Sequence, residues 1–533
     1  MHVRRIAAGL LLAAATLVAG VTVAPIASAD AGHGNGLIVR TDKGLIEGKF
    51  AEGTDQWLGV PYAAPPVGAL RWAAPQPAPP WPGIRPAISY GGRCAQLASG
   101  NGPRVDNENC LYLNVYTPPG GDGQDRGGGL PVLVMIHGGG LTTGAGDQHD
   151  GSLIVTTDNI IVVSINYRLG PFGFLDLPGL GTTASTANGN FGLLDQEAAL
   201  RWVQRNIGAF GGNPAKVTID GESAGGWSVC ALLTSPPARG LFRGAIMQSG
   251  SCASQSPATA QAASLAFAKQ AGCPTAATAA ACLHGLPETT LLDASSSYSP
   301  GFTYGGPELP VADASAVAAG NYDHVPLLIG TNHNEGRTFS QGVTGLTEAQ
   351  ADQLVASIYG ASRAPAILAR YPWSSYPSPY TAAYMIGDIW TDSGFLSGIG
   401  GCPTQNLASQ FASTTRTYFY QFDDLHAPGL NNNQPGYQWG AGHAMELAYL
   451  WPSFNNGYSL YNLLTPAQLE LSQQMVKYWG AFVITGRPEV PGQPLWPRYG
   501  SGQLMSLRPG GQTQLISAAT FGAEHQCSFW NAG

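Results

Sequence analysis

The sequence predicts an α/β protein with a central, mostly parallel sheet flanked by helices and overlaid by helical cap insertions. Three observations predict it. Short, continuous apolar runs alternate with longer helical patterns, and 44% of the 533 residues are hydrophobic. Only 11% are charged, well under the roughly 25% usual for soluble domains. Strands covered on both faces by helices must be apolar throughout, and so low a charge excludes a disordered or charge-patterned interaction protein. The net charge of -8 excludes a nucleic-acid partner, which calls for a basic chain. The 72 glycines and 40 prolines are dispersed without a period and imply many turns and loops.

The N-terminus reads as an address rather than as structure. Arg4 and Arg5 lead an apolar run from Ile6 that ends in Ala27-Ser28-Ala29, the order of a secretory signal peptide cleaved after Ala29. The run 6–26 is also long enough to span a bilayer, but Pro25 and the Ala-x-Ala site favour removal. Residues 30–533 are then one secreted domain without stable membrane insertion. Export admits disulfides, and the eight cysteines are even in number. Cys94 with Cys110 and Cys273 with Cys282 lie close in sequence, and Cys402 with Cys527 would join distant segments. Cys230 and Cys252 sit in apolar surroundings where free buried thiols are equally expected. The chain has no Cys-x-x-Cys or His-Glu-x-x-His spacing, so a zinc site lacks support, and no cofactor is expected.

Candidate strands are 131–136, 160–166, 217–220, 244–248, 325–329 and 418–422, each a short apolar run. Between the second and third, Ala198, Leu200, Trp202, Val203 and Ile207 recur at helical spacing over 195–207. The stretch 120–129 lacks the following helix and the lysine that a phosphate loop needs, and reads as a flexible surface connection. Segments 251–281 and 344–397, rich in Ala, Ser and helix formers, interrupt the strand rhythm and read as a cap that shapes a pocket.

The strongest chemical signal is Gly221-Glu222-Ser223-Ala224-Gly225, directly after the 217–220 strand and before a helical run. A serine between glycines at a strand-to-helix turn can take strained angles that push its hydroxyl out over the sheet. The helix N-terminus and the Ala224 amide would meet negative charge growing on an attacked carbonyl oxygen. His137-Gly138-Gly139-Gly140 ends the 131–136 strand, and its glycines let backbone N–H groups approach a reacting oxygen. Gly139 and Gly140 with Ala224 are therefore the expected oxyanion hole. A serine nucleophile needs a histidine base and an acid that orients it, in the order Ser, acid, His for this sheet type. Spacing alone leaves Glu335 level with Asp392 for the acid, and His443 level with His333 or His426 for the base.

These residues resemble the type-B carboxylesterase/lipase family, the cholinesterase-like branch of the α/β-hydrolase fold. The likeness runs from about Leu37 to beyond Tyr499, through Gly59-Val-Pro-Tyr-Ala63, Glu108-Asn109-Cys110-Leu111, Asn166-Tyr-Arg168 and Phe210-Gly-Gly-Asn-Pro214. It implies Ser223 as nucleophile, Glu335 as triad acid and His443 as general base, with Gly139, Gly140 and Ala224 as oxyanion donors. It also implies bonding of Cys94 to Cys110 and of Cys273 to Cys282, Glu222 and Glu446 as buried supporting acids, and the pairs Arg71 with Glu108 and Arg168 with Asp195. The chain departs from the family pattern in three places. Asn109 stands where the family has Asp, Leu141 where Phe is common, and Asp220 puts a charge in a normally apolar strand, so that it needs a partner if buried.

The implied activity is hydrolysis of a small-molecule or lipid ester through an acyl-enzyme. An interfacial lipase or sterol-esterase-like enzyme is the nearer alternative, and a non-catalytic adhesion protein of the same fold the remote one. Leu141 and Trp227 flank the oxyanion donors and are expected to line the pocket.

Overall fold

The computed structural model describes residues 37–120, 128–180, 189–431, 433–454 and 459–532. The expected signal segment 1–29 lies outside the described residues, as do 121–127 of the expected surface connection.

An 11-stranded sheet runs through the molecule. Its strands in chain order are β1 (Lys49–Ala51), β2 (Thr54–Pro61), β3 (Tyr112–Thr117), β4 (Leu130–Ile136), β5 (Ile161–Ile165), β6 (Gly212–Glu222), β7 (Gly244–Gln248), β8 (Leu327–Asn332), β9 (Thr417–Phe422), β10 (Gln503–Leu507) and β11 (Gln514–Ser517). In space they follow the order β11-β10-β9-β8-β7-β6-β4-β5-β3-β2-β1. Every pairing from β5 across to β10 is parallel, while β11 at one edge and β3, β2 and β1 at the other are antiparallel. The central strands β5 and β7 are buried at every position, as continuous apolar runs with helices on both faces require.

The helices cover the sheet through apolar stripes. Helix α1 (Phe191–Asn206) buries Leu193, Ala199, Leu200, Trp202 and Val203. A long C-terminal helix, Pro466–Thr485, packs Met475, Val476, Trp479, Phe482 and Val483 inward. Thr465 caps it by accepting from Gln468 N while the Gln468 side chain returns to the Thr465 N–H, so two otherwise orphaned donors are satisfied reciprocally. Its left-handed stop is Gly486, with φ 70°. Among the described residues no helix is long and apolar enough to cross a membrane.

Both expected cap segments are helical. The first holds Pro257–Gln270 and Ala279–His284, the second Glu348–Tyr359, Ala364–Arg370 and Thr381–Ser393. All eight cysteines are paired: Cys94–Cys110, Cys230–Cys252, Cys273–Cys282 and Cys402–Cys527. Free thiols at Cys230 and Cys252 were an equal expectation, and the structure decides for a bond, because tertiary folding brings Cys252 to the helix that carries Cys230.

Candidate active site

Strand β6 ends at Glu222, and Ser223 turns the chain with φ 58° and ψ -123° into helix α2 (Ala224–Thr234). That is a strained backbone for a residue with a side chain. The flanking glycines are required by crowding. A Cβ on Gly221 would lie 2.3 Å from the Gly225 carbonyl oxygen, and one on Gly225 would lie 2.1 Å from that of Ile136. The Ser223 N–H donates to Gln248 O at 3.0 Å, which ties the turn to β7.

Strand β4 delivers the glycine triplet to the same place. Gly139 and Gly140 have φ of 99° and 64°, and the N–H groups of Thr142 and Thr143 both donate to Gly139 O at 3.1 Å, closing a tight turn. His137 anchors that turn from behind. Its ring stacks on Tyr167 at 4.4 Å, its Nδ1–H donates to Gly138 O at 2.8 Å, and Tyr167 Oη donates to His137 O at 2.8 Å. Burial pushes His137 down to about 4, so the ring is neutral at physiological pH.

Two further loops meet here. Glu335 follows β8 and His443 follows the loop after β9. The loops are stitched together by Asn334 N to Ala441 O at 2.8 Å and His443 N to Glu335 O at 3.4 Å, and by Thr338 Oγ1 to His443 O at 3.0 Å. His443 Nδ1 donates to Glu335 Oε2 at 2.6 Å. The other carboxylate oxygen of Glu335 accepts from Thr331 Oγ1 at 2.8 Å and from Asn332 N at 2.7 Å, which fixes the acid before it touches the ring. His443 Nε2 lies 3.1 Å from Glu222 Oε1, and Phe339 covers the ring at 4.9 Å.

The other candidates for acid and base are engaged elsewhere. Asp392 accepts from Tyr371 Oη at 2.6 Å and from His525 Nδ1 at 2.7 Å. His333 donates to Asp423 at 2.8 Å, and His426 is exposed.

Ser223, Gly138, Gly139, Gly140, Glu222, Trp227 and His443 share the wall of one cavity of about 410 Å³. Ala224 is fully buried at the start of α2. Leu141 is a correction. It has 0% exposure, belongs to the main core cluster and does not line the cavity. Its φ of 60° turns the chain immediately after Gly140, so the side chain packs into the core while its carbonyl accepts from Gly170 N at 2.7 Å.

The electrostatics are set by four buried carboxyl groups around one histidine. Burial raises His443's neighbours Glu222 and Glu446, the charge of His443 opposes this at both, and nearby carboxylates raise them further. Burial would lower His443, but the charges of Glu222 and Glu335 and the hydrogen bond to Glu335 outweigh it and hold the imidazole above its ordinary range. Burial would raise Glu335, but the charge of His443 and its hydrogen bond hold that acid below its ordinary range. Glu446 accepts from Asn332 Nδ2, which also donates to Gly442 O at 2.8 Å. Asp220 is buried, with neither carboxyl oxygen hydrogen-bonded among the described residues, and burial followed by the charge of Glu446 pushes it well up.

The sequence model described as "Carboxylesterase family" matches residues 35–530. The chain belongs to the carboxylesterase family. It is 33% identical over 524 residues to the cocaine esterase of Homo sapiens, covering 93% of this chain and 89% of that one. It is 34% identical over 487 residues to the para-nitrobenzyl esterase of Bacillus subtilis (strain 168), covering 87% and 92%. A solved PNB esterase superposes with a TM-score of 0.73 at 32% identity, over 92% of this chain and 99% of that one. As a carboxylesterase with an α/β-hydrolase sheet, the protein is an ester hydrolase.

The carboxylesterase cavity also includes residues that sequence reasoning did not single out. Phe339, Leu396, Ile399, Leu430, Leu447 and Phe454 supply its apolar wall, and Gln148 and His149 part of its polar one. His149 lies six positions beyond Thr143 in a loop with no periodicity, and its nearness in sequence to the glycine triplet is the one signal that could have pointed to it.

Proposed function

We propose that the protein is a secreted carboxylic-ester hydrolase that works through a Ser223–His443–Glu335 triad and a covalent acyl-enzyme. The observation that carries the reading is the placement of His443. Its Nδ1 is bonded to an acid that is itself held by two donors, while the ring faces the cavity that contains Ser223 and the glycine triplet.

Ser223 Oγ attacks the ester carbonyl carbon as His443 Nε2 takes its proton. The N–H groups of Gly139, Gly140 and Ala224 donate to the oxyanion, each worth about 3 kcal/mol of barrier. The imidazolium formed is stabilised by Glu335, which accepts from Nδ1, leaving the Nε2 proton for the departing alcohol. Collapse of the tetrahedral intermediate expels the alcohol, protonated by His443. Water, deprotonated by the same nitrogen, then attacks the acyl-enzyme, and its collapse releases the acid and restores Ser223.

Hydrolysis of p-nitrophenyl esters of increasing acyl length tests the reading. The wild type turns over short and medium chains in solution, and Ser223→Ala does not. Equal rates in the two proteins would remove the mechanism, and a preference for long, emulsified chains would move the assignment to a lipase. The secretory part rests on the 1–29 pattern, and N-terminal sequencing of exported protein should begin at Asp30.

A further inference from the structure

Several polar side chains in the cavity wall are occupied by the protein. Asn101 Nδ2 donates to Thr143 Oγ1 at 2.9 Å, Gln148 Oε1 accepts from Ala145 N at 3.1 Å, and His137 holds Gly138 O. Two are not. Neither ring nitrogen of His149, nor Nε1 of Trp227, has a hydrogen-bond partner among the described residues. His149 is only 2% exposed, and both residues line the catalytic cavity.

A buried polar group without a partner costs stability, and each one in a native structure calls for an explanation, a bound water, ion or ligand among them. His149 is held in place by apolar contact. Its ring stands edge-on to Trp451 at 5.4 Å and tilted against Phe454 at 6.1 Å. Burial, then the neighbouring His137, pushes it down to about 3, and the Ala145 backbone, close to the ring but outside hydrogen-bond geometry, opposes this. The ring is therefore neutral and presents one N–H donor and one bare nitrogen acceptor. That combination fits a group that both donates and accepts without charge, of which a hydroxyl is the smallest an ester substrate can carry. The indole N–H of Trp227 is a donor only and fits an oxygen acceptor.

We propose that His149, with Trp227, forms a polar recognition subsite in the catalytic cavity, and that the preferred substrates are esters carrying an uncharged hydroxyl group in addition to the ester. The inference rests on the hydrolase reading of Ser223 and sharpens its substrate class. A plain alkyl ester leaves both groups unpaired, whereas a hydroxylated one pairs them. Sites built to bond a hydroxyl reject the analogue that lacks it far more strongly than apolar pockets reject an added methylene.

The test is the ratio of kcat/KM within matched pairs, a p-nitrophenyl hydroxyalkanoate against the alkanoate of equal length, and a glycol monoester against the alkyl ester of equal length. Losses common to both members cancel in that ratio. In the wild type at least one pair favours the hydroxylated member by about tenfold or more. His149→Phe brings that ratio to near one, His149→Gln, which keeps a donor and an acceptor, restores part of it, and Trp227→Phe lowers it. Activity that depends on Ser223 but shows no hydroxyl preference, or a preference unchanged in His149→Phe, would overturn the subsite and leave the triad standing, with water the only partner of the ring. Activity retained in Ser223→Ala would instead overturn the reading beneath it.

Discussion

Buried charge is handled in opposite ways in two parts of this molecule. Beside α1, Arg168 gives Nε and Nη2 to the two carboxylate oxygens of Asp195 at 2.7 and 2.8 Å, and its backbone N–H adds a third bond at 3.1 Å. Arg71 grips Glu108 with the same fork. Around His443, four buried carboxyl groups, Asp220, Glu222, Glu335 and Glu446, share a single titratable base and no arginine pairs with them in the described residues. The first region spends its geometry on neutralising charge, and the second keeps more acid than cation. The difference separates two uses of a buried carboxylate. Asp195 and Glu108 are matched with permanent cations, whereas the carboxyl groups around His443 share a histidine or are pushed toward the protonated form.

Several substitutions break or sharpen this contrast. The largest effect is expected at Glu335→Gln, which keeps the shape but cannot hold the imidazole in the right tautomer. By analogy with other triads, kcat for a p-nitrophenyl ester should fall about 10⁴-fold while the unfolding midpoint changes little. On the structural side, Arg168→Ala leaves Asp195 buried and uncompensated. Denaturant unfolding should show a loss of about 3–5 kcal/mol, whereas Arg168→Ala with Asp195→Ala together should recover much of it.

Asp220 lies between these cases. It faces Met135 and Ile246 in register on the neighbouring strands, and its folded pKa is well above the ordinary carboxyl value. The unfolded chain therefore loses this proton first as pH rises. The stability of the protonated form is fully present below the unfolded pKa, near 4, and is lost at about 1.4 kcal/mol per pH unit above it until the folded pKa is reached. Asp220→Asn or Asp220→Leu should accordingly stabilise the protein at pH 7 and bring no such gain at pH 4. A variant no more stable than the wild type at pH 7 would mean that the carboxyl is ionised and paired in solution.

The smallest effect concerns the pH profile. In the proposed mechanism only neutral His443 accepts the Ser223 proton, so kcat/KM should rise with pH through a midpoint above the 6.5 of a free imidazole. Glu222→Gln removes the neighbouring charge that contributes most to the upward shift and should lower that midpoint by about one unit.

The fold was legible where burial is symmetrical. The parallel strands from β4 to β9 are covered on both faces and so read as continuous apolar runs. The edge strands β2, β3, β10 and β11 carry polar residues such as Gln56, Asn114, Gln503 and Gln514 and have no such signature. The site was legible where chemistry is local. The glycines beside Ser223 and in 138–140 answer to backbone crowding within a few residues, and sequence carries that directly. Glu335 and His443 meet only through tertiary folding, so spacing alone left them level with Asp392, His333 and His426. Leu141 misled because adjacency to Gly140 says nothing of direction once φ turns positive. His149 carried no local pattern, since its meaning lies in what the fold leaves unbonded around it.

The central claim is that Ser223 is the nucleophile and carries the acyl group. Its most direct test is reaction with a p-nitrophenyl phosphonate followed by intact-mass and peptide mapping. The account predicts a single stoichiometric adduct on Ser223, formed in step with loss of esterase activity and absent from Ser223→Ala. An adduct on another residue, or inactivation with Ser223 unmodified, would contradict it.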